Sequence, residues 1–231
     1  MIILFEKVSS VSNLQLINSV RKSLSAARLG TYEAASGATG DEDLAALTLY
    51  AWNASISAAL LAPLHLCEVV VRNGLAEAIE QVYGPQWPWS PGFERSLPDP
   101  QRDWSPRREL GSVRRRFTTT GKVIPELKFV FWQKLLIVNH DHRLWIPYLN
   151  QVFPNLDPAI PIPALREGFH DDLEALRLLR NRIAHHEPIF VRNLAAEYQR
   201  MTRLVEGRCK VTKKWMEGTC ANVPVLLAQK P

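Results

Sequence analysis

The chain has 231 residues, a net charge of +5 and a sequence pI near 9.2. This length can bury one sizeable core without disulfide staples, and the basic balance favours an anionic partner. Cys67, Cys209 and Cys220 have no paired or metal-like spacing, which is typical of free thiols in a reducing cytoplasm. Met1 precedes only four apolar residues before the first charge, so we expect no secretion signal.

The N-terminal part of the chain, up to about residue 84, is predicted to be helical. Apolar residues at near-helical spacing predict a first helix over 11–29, which Gly30 ends. Asp41 is a suitable N-cap for a second, long helix. Pro63 is expected to interrupt or kink that helix, and a further run over 64–83 follows it.

Residues 44–67 contain no Asp, Glu, Lys or Arg, which raises the question of a membrane span. Pro63, His65 and several Ser, Thr and Asn side chains dilute this run, and it is richer in Ala than lipid-facing helices are. The run therefore predicts a buried helix of a soluble, cytoplasmic protein with no membrane partner.

An insert over about 85–122 is rich in proline and tryptophan and strongly basic. The stretch over 84–106 shows too little periodicity for a regular element, and its aromatic residues predict an ordered insert or lid. Trp104 and Phe117 could stack on unpaired bases beside the cations. The candidate RNA-binding cations are Arg107, Arg108, Arg114, Arg115, Arg116 and Lys122 in this insert and Arg177 further along the chain. The alternative is an ordinary solvated surface.

The motif-bearing part of the chain, about residues 123–217, is also predicted to be helical. The predicted helices cover 126–138, 144–152, a motif helix up to Pro188, and 190–207, followed by a short piece at 211–216. All parts are expected to form one domain over 1–231.

The motif helix has one apolar stripe and one polar face. The stripe consists of Leu165, Phe169, Leu173, Leu176, Leu179 and Ile183. Asn181 and His185 project together from the opposite side, one turn beyond Arg177. Arg180 lies at the border of the stripe, where its long side chain can lie along the helix and bring its guanidinium to the polar face. His186 is predicted to face the core near Asp172 in a structural role.

Three side chains of this helix carry the chemistry of interest. The negative end of the helix dipole favours the protonated form of the His185 imidazole, because Pro188 ends the helix close by. A guanidinium (Arg180), a carboxamide (Asn181) and an imidazole (His185) can hold a phosphodiester and move a proton. The alternative is an inert helix end, with Arg180 paired to a carboxylate and His185 on the terminal carbonyls.

The Arg180-Asn181-x-x-x-His185 pattern resembles the R-x(4–6)-H motif of the HEPN superfamily. The wider chain resembles the Abi-like (abortive infection) branch of it. The resemblance takes in EVVVRN at 68–73, FVFWQKL at 129–135, LWIP at 144–147, FP at 153–154 and RIAHHEPIF at 182–190. It covers most of the chain.

This resemblance implies an all-α, HEPN-like helical bundle and a metal-independent endoribonuclease. It also implies a homodimer that brings two motifs together, and a role in phage defence or as a toxin with an antitoxin or activating partner. Residues implied to support the catalytic ones are Glu68, Arg72, Asn73, His186 and Glu187. Glu68 and Arg72, one turn apart, could instead form an ordinary helix-stabilising ion pair.

Other chemistries fit poorly. His185, His186 and Glu187 are consecutive, whereas helical zinc sites use ligands four residues apart. A metal phosphohydrolase of the HD type, suggested by His140-Asp141 and His170-Asp171, would need further ligands. No phosphate-binding glycine loop or nucleophile motif is present. We therefore expect no metal or cofactor, and the remaining alternative is a non-catalytic helical module that binds RNA or protein through the motif face.

Overall fold

The computed structural model describes residues 11–37, 40 and 43–231 and shows an all-α protein. Helices account for 75% of the structure, and the described residues contain no strand. The prediction of an all-α fold is therefore confirmed. The helices, numbered in chain order, are α1 Asn13–Leu24, α2 Ala26–Ser36, α3 Ala45–Tyr83, α4 Pro91–Ser96, α5 Pro106–Arg114, α6 Thr120–Val123, α7 Phe129–Gln133, α8 Ile146–Val152, α9 Ile162–Ala184, α10 Leu194–Arg208, α11 Lys210–Thr219 and α12 Asn222–Ala228.

The 39-residue α3 is the central element, and α2, α8, α9, α10 and α12 pack around it. Pro63 was predicted to interrupt or kink this helix; it does not interrupt it, because α3 continues through Pro63. Proline inside a helix costs about 3 kcal/mol. Leu60 and Leu64, which lie on either side of Pro63, are buried, and their packing offsets this cost.

By length and composition alone, α3 could cross a membrane. Its most apolar window has a mean hydropathy of 1.8, and 39% of that window is buried. The central helix of a helical bundle meets the same criterion. In the described structure α3 contacts six other helices, α2, α7, α8, α9, α10 and α12, as a core helix does.

The N-terminal helices differ from the prediction of one helix over 11–29. Ser25 adopts φ 79° between α1 and α2 and caps α2 by accepting the N–H of Arg28. The second helix then continues through Gly30. The proposed N-cap Asp41 lies outside the described residues; at the start of α3, the Asp43 carboxylate accepts the N–H of Ala45 at 2.8 Å.

The insert contains short helices, which its sequence did not suggest. Ser90-Pro91 and Ser105-Pro106 begin α4 and α5, with each serine accepting a backbone N–H of the first turn. A serine N-cap followed by proline at the first helical position is a strong start signal, because proline's missing N–H needs no partner there.

The apolar run over 126–138 forms only the short α7, followed by tight turns. A straight helix would expose part of a segment that is apolar on all sides. The observed bends bury Phe131, Trp132, Leu135 and Leu136 together. Downstream, a π-type turn over Asp141–Trp145 precedes α8, and the chain ends in α11 and α12.

Helix α9 runs antiparallel to α3, and this places the motif. Gly74 of α3 lies against Phe153, whose ring packs on Phe169 near the start of α9 with centroids 4.9 Å apart. The far end of α9 meets the first half of α3. The stripe from Phe169 to Ile183 is buried as predicted, with Leu165 partly buried.

Candidate active site

The motif helix was predicted to run up to Pro188, but it ends at Ala184, in a left-handed cap. His185 is the C-cap, and His186 adopts φ 56°. The N–H of His186 donates to Ile183 O at 3.0 Å, and that of Glu187 donates to Arg182 O at 2.8 Å. This is the Schellman arrangement, normally built on glycine, and a histidine there costs about 1–2 kcal/mol.

The prediction that His186 faces the core beside Asp172 is wrong. His186 is exposed, whereas Asp172 is buried. Arg200 contacts Asp172 Oδ1 at 2.7 Å, and Arg203 contacts Oδ2 at 2.8 Å. Asp172 is therefore neutralised by α10, and His186 is carried outward by the left-handed turn.

Three side chains from three helices hold the segment that follows the motif helix. Arg28 Nη1 of α2 donates to His186 O at 2.5 Å. Asn53 Oδ1 of α3 accepts the N–H of Ile189 at 2.8 Å. Arg182 Nε donates to Pro188 O at 3.2 Å. Because these bonds fix the backbone on both sides of Glu187, the left-handed turn is held by tertiary contacts.

Sequence reasoning missed Arg28 and Asn53. Asn53 offered a signal, because it is a polar residue within an apolar helix, and such a residue needs a hydrogen-bond partner when buried. It is 6% exposed and also bonds Tyr32, which lies beneath the turn. Arg28 offered none, since it contacts a residue 158 positions away.

The side chains of Arg180, Asn181 and His185 are accessible to solvent and form no hydrogen bond or ion pair with the described residues. Arg180 and His185 are exposed and Asn181 is half-buried. Within the described part of the chain, none of these side chains has a hydrogen-bond or ion-pair partner. The alternative in which Arg180 pairs with a carboxylate of its own chain is therefore not what the structure shows.

A groove of about 630 Å³ lies between α3 and the end of α9. Its walls include Tyr50, Ala54, Ala58, Leu61 and Ile183, and Arg180, His186 and Glu187 stand at its polar edge. We refer to this as the α3–α9 groove. It combines an apolar floor with one guanidinium that has no carboxylate partner within the described residues.

His185 and Asn181 do not line this groove. At 100° per residue, positions 180 and 185 lie about 140° apart around the helix axis. Arg180 thus faces α3, whereas Asn181 and His185 face outward beside Leu178, which is 43% exposed. Within the described part of the chain, the α3–α9 groove therefore contains Arg180 but not His185.

Arg177, predicted to contact RNA, is paired within its own helix. Its Nε and Nη2 donate to the two carboxylate oxygens of Glu174 at 2.9 and 2.7 Å. The bond from Arg177 lowers the pKa of Glu174, and the same bond raises the pKa of Arg177. The positive charge of Arg177 is therefore largely neutralised next to the motif.

The block at 68–73 lies on α3 beyond the groove. Glu68 and Arg72 are both half-buried and form no ion pair with each other or with any other described residue, so the predicted pair is absent. Arg72 Nε is buried without a partner. Asn73 is exposed, about 18 Å along the helix from Leu61 at 1.5 Å per residue.

Most cations of the insert stabilise the insert itself. Arg107 Nη2 donates to Arg95 O and Leu97 O at 2.9 and 2.8 Å. Arg114 contacts Glu94 at 2.8 Å and Pro88 O at 3.0 Å. Arg108 contacts Asp99 at 3.2 Å.

Arg116 lies 3.5 Å from Glu126 and over the ring of Phe117. Among the described residues, Arg115 and Lys122 have no hydrogen-bond or ion-pair partner. Trp104 Nε1 donates to Glu109, which limits its freedom to stack on a base.

The insert is also distant from the motif. Thr120 Oγ1 donates to Pro85 O at 2.6 Å, so the segment with Arg115 and Lys122 lies near the C-terminal end of α3. The groove lies near the other end of α3, and Leu61 and Gly84 are roughly 35 Å apart along the helix. In a single chain, the insert and the motif are separate surfaces.

Across the described ranges, no group of three or more His, Cys, Asp or Glu side chains has a metal-binding arrangement. No family model, curated protein or solved structure matches the chain.

Proposed function

We propose that the protein is a metal-independent endoribonuclease of the HEPN type, acting at the end of α9. One observation carries the proposal. An arginine and a histidine five residues apart are both exposed and uncommitted among the described residues, at a helix end fixed by other helices. Fixing the backbone around uncommitted polar side chains is how proteins prepare a site for a ligand.

The proposed chemistry uses the 2′-OH of RNA as the nucleophile. His185 accepts the proton of the 2′-OH as its oxygen attacks the adjacent phosphorus, and the bond from phosphorus to the 5′ oxygen breaks. The 5′ oxygen leaves with a proton from a general acid, giving a 2′,3′-cyclic phosphate and a 5′-OH. Arg180 stabilises the charge on the phosphoryl oxygens, and Asn181 hydrogen-bonds the phosphate or orients the imidazole.

A homodimer would supply the second proton-transfer group. In one chain, Arg180 and His185 lie on different sides of α9, and the outward side carries the exposed Leu178. The adjacent surface of α3 presents the small residues Ala54 and Ala58, which allow another helix to approach closely. A two-fold axis at this face would place one His185 from each copy at one phosphate.

The biological setting belongs to the same proposal. RNA is the partner, the cytoplasm is the location, and phage defence or toxin activity is the role, with an antitoxin or activating protein as a possible regulator. The second candidate function is a non-catalytic helical module that binds RNA or protein through this face. The apolar floor of the α3–α9 groove favours it, because such grooves accept helices and chains without any chemistry.

The experiment that separates the two functions analyses the products. Purified protein is incubated with single-stranded RNA, with tRNA, with RNA 2′-O-methylated throughout and with DNA, each in excess EDTA and, in parallel, with added Mg²⁺. We expect cleavage of the unmodified RNAs to cyclic-phosphate and 5′-OH ends, no cleavage of methylated RNA or DNA, and a dimeric mass in solution. Cleavage that requires added metal would contradict the nuclease proposal, and binding without turnover would favour the non-catalytic module.

A further inference from the structure

A second polar pocket lies at the opposite end of the molecule from the motif. It has a volume of about 490 Å³ and is formed by α4 together with the turns at 138–145. Its polar lining side chains are Arg95, Ser96, Asn139, His140, His142 and Arg143. None of its lining residues is acidic. We refer to it as the insert pocket.

The two guanidiniums of the insert pocket lack carboxylate partners in the described structure. Arg95 is exposed, and its side chain forms no hydrogen bond or ion pair there. The partner of Arg143 is the neutral hydroxyl of Tyr83, 3.0 Å from Nη1. The pocket therefore concentrates positive charge that a ligand could neutralise.

The nearest acidic side chains along the chain are already engaged elsewhere. Asp141 forms an ion pair with Arg166 at 3.1 Å, and Glu94 forms one with Arg114 at 2.8 Å. Neither carboxylate is left to neutralise Arg95 or Arg143. This distinguishes the insert pocket from the cations of α5, most of which hold loop carbonyls or carboxylates.

His140, which lines the pocket, is a second observation that points to a ligand. It is 2% exposed, and its Nε2 is buried without a hydrogen-bond partner. Buried polar atoms are rarely left unpaired, and an exception calls for an ion, a water or a ligand. Burial and the nearby Arg143 also lower the pKa of His140.

We propose that the insert pocket binds a phosphate monoester, carried by a free nucleotide or by the 5′ end of an RNA. A monoester has a charge of about −1.5 to −2 at neutral pH, against −1 for a backbone phosphodiester. Two guanidiniums suit a dianion, and Asn139 and Ser96 offer further polar contacts. The site lies roughly 33 Å along α3 from Leu61, so it does not depend on cleavage at the motif.

The test measures binding by calorimetry under conditions that block cleavage. One arm titrates inorganic phosphate, a nucleoside 5′-monophosphate and the matching nucleoside. The other titrates a 2′-O-methyl RNA with a 5′-phosphate and the same RNA with a 5′-OH. We expect each phosphorylated ligand to bind on the order of tenfold more tightly than its hydroxyl counterpart. Tight binding of the mononucleotide identifies a nucleotide site, and binding restricted to the phosphorylated RNA identifies an RNA-end site.

Three variants localise the binding. Arg95→Gln and Arg143→Gln should each weaken phosphate-dependent binding on the order of tenfold, because each removes a charge-assisted bond. Arg102→Gln is the control, since Arg102 is exposed, lies outside the pocket and has no described partner. The Arg95 side chain forms no hydrogen bond or ion pair within the described structure, so we expect its replacement to leave the fold intact. Equal affinity for phosphate and hydroxyl ligands, or unchanged binding by Arg95→Gln, would overturn the proposal.

Discussion

Asn53, buried in the middle of α3, accepts the N–H of Ile189 at 2.8 Å and so ties the segment after the motif helix to the centre of the bundle. The same side chain bonds the hydroxyl of Tyr32. One amide thus connects α2, α3 and the loop that positions His185 and His186.

Replacing this amide should both destabilise the protein and disturb the motif. Asn53→Ala leaves a buried N–H and a buried hydroxyl unpaired, at a cost of about 1–3 kcal/mol in the free energy of unfolding. Urea unfolding measures the loss. Ser55→Ala is the control, because Ser55 bonds the Ala51 carbonyl of its own helix, and a change within about 0.5 kcal/mol is expected. Equal stability of the two variants would contradict the role of Asn53.

The pairing of Glu174 with Arg177 predicts a gain of RNA affinity by mutation. Glu174→Gln should release the guanidinium for a backbone phosphate and steepen the salt dependence of single-strand binding by about 0.7 in log–log slope. Arg177→Gln should leave that slope almost unchanged, since its charge is already neutralised. Fluorescence anisotropy with uncleavable 2′-O-methyl RNA at several salt concentrations checks both. A shallower slope for Arg177→Gln would show that Arg177 already contacts RNA.

The contact between α3 and Phe153 predicts opposite effects of the same substitution at two glycines. A Cβ at Gly74 would lie 2.7 Å from Cζ of the buried Phe153, so Gly74→Ala should cost about 1–3 kcal/mol. Gly168 lies inside α9 with open space around it, and Gly168→Ala should stabilise by about 0.5–1 kcal/mol. Urea unfolding of both variants measures the two changes in the free energy of unfolding. Destabilisation by Gly168→Ala would contradict the description of α9 as a regular helix at this position.

The burial of His140 predicts a loss of stability in mild acid. Burial, followed by Arg143, lowers the pKa of His140 in the folded protein. Below the ordinary histidine value of about 6.5, the unfolded chain therefore binds a proton that the folded protein excludes. This part of the stability is complete above pH 6.5 and is lost as the pH falls towards the lower, folded pKa.

Urea unfolding between pH 8 and pH 5 measures this dependence. His140→Gln should show a smaller decrease across that range than the wild type. His142→Gln, which replaces the exposed neighbour, is the control and should decrease as the wild type does. A wild-type stability that is flat or rises towards pH 5 would contradict the account of His140.

The parts of the structure that the sequence predicted correctly are those that local periodicity determines. Phe169, Leu173, Leu176, Leu179 and Ile183 repeat at helical spacing, and all are buried. The capping signals of the insert are equally local. The Ser-Pro pairs that begin α4 and α5 were missed because the insert contains many other prolines. Helices as short as α4 and α5 contain too few turns for hydrophobic periodicity to distinguish them from an irregular loop.

The missed features depend on contacts between distant parts of the chain. Helix α3 continues through Pro63 because other helices pack around it, and His186 turns outward because Arg28 and Asn53 hold its loop. The sequence identified Arg180, Asn181 and His185 as a set. Helical spacing also placed Arg180 at the border of the buried stripe and His185 on the opposite side. The expectation that the Arg180 guanidinium reaches the polar face was wrong, because Arg180 lines the groove beside α3.

The most direct test of the central claim compares the RNA cleavage rates of the wild type, His185→Ala and His186→Ala at equal concentrations of folded protein. If His185 transfers the proton, its loss should slow cleavage by about 10²–10⁴-fold, whereas His186→Ala should retain most activity as long as the turn keeps its shape. Circular dichroism confirms that all three proteins are folded. Undiminished cleavage by His185→Ala, with the activity lost in His186→Ala instead, would contradict the account and move the proton-transfer role into the α3–α9 groove.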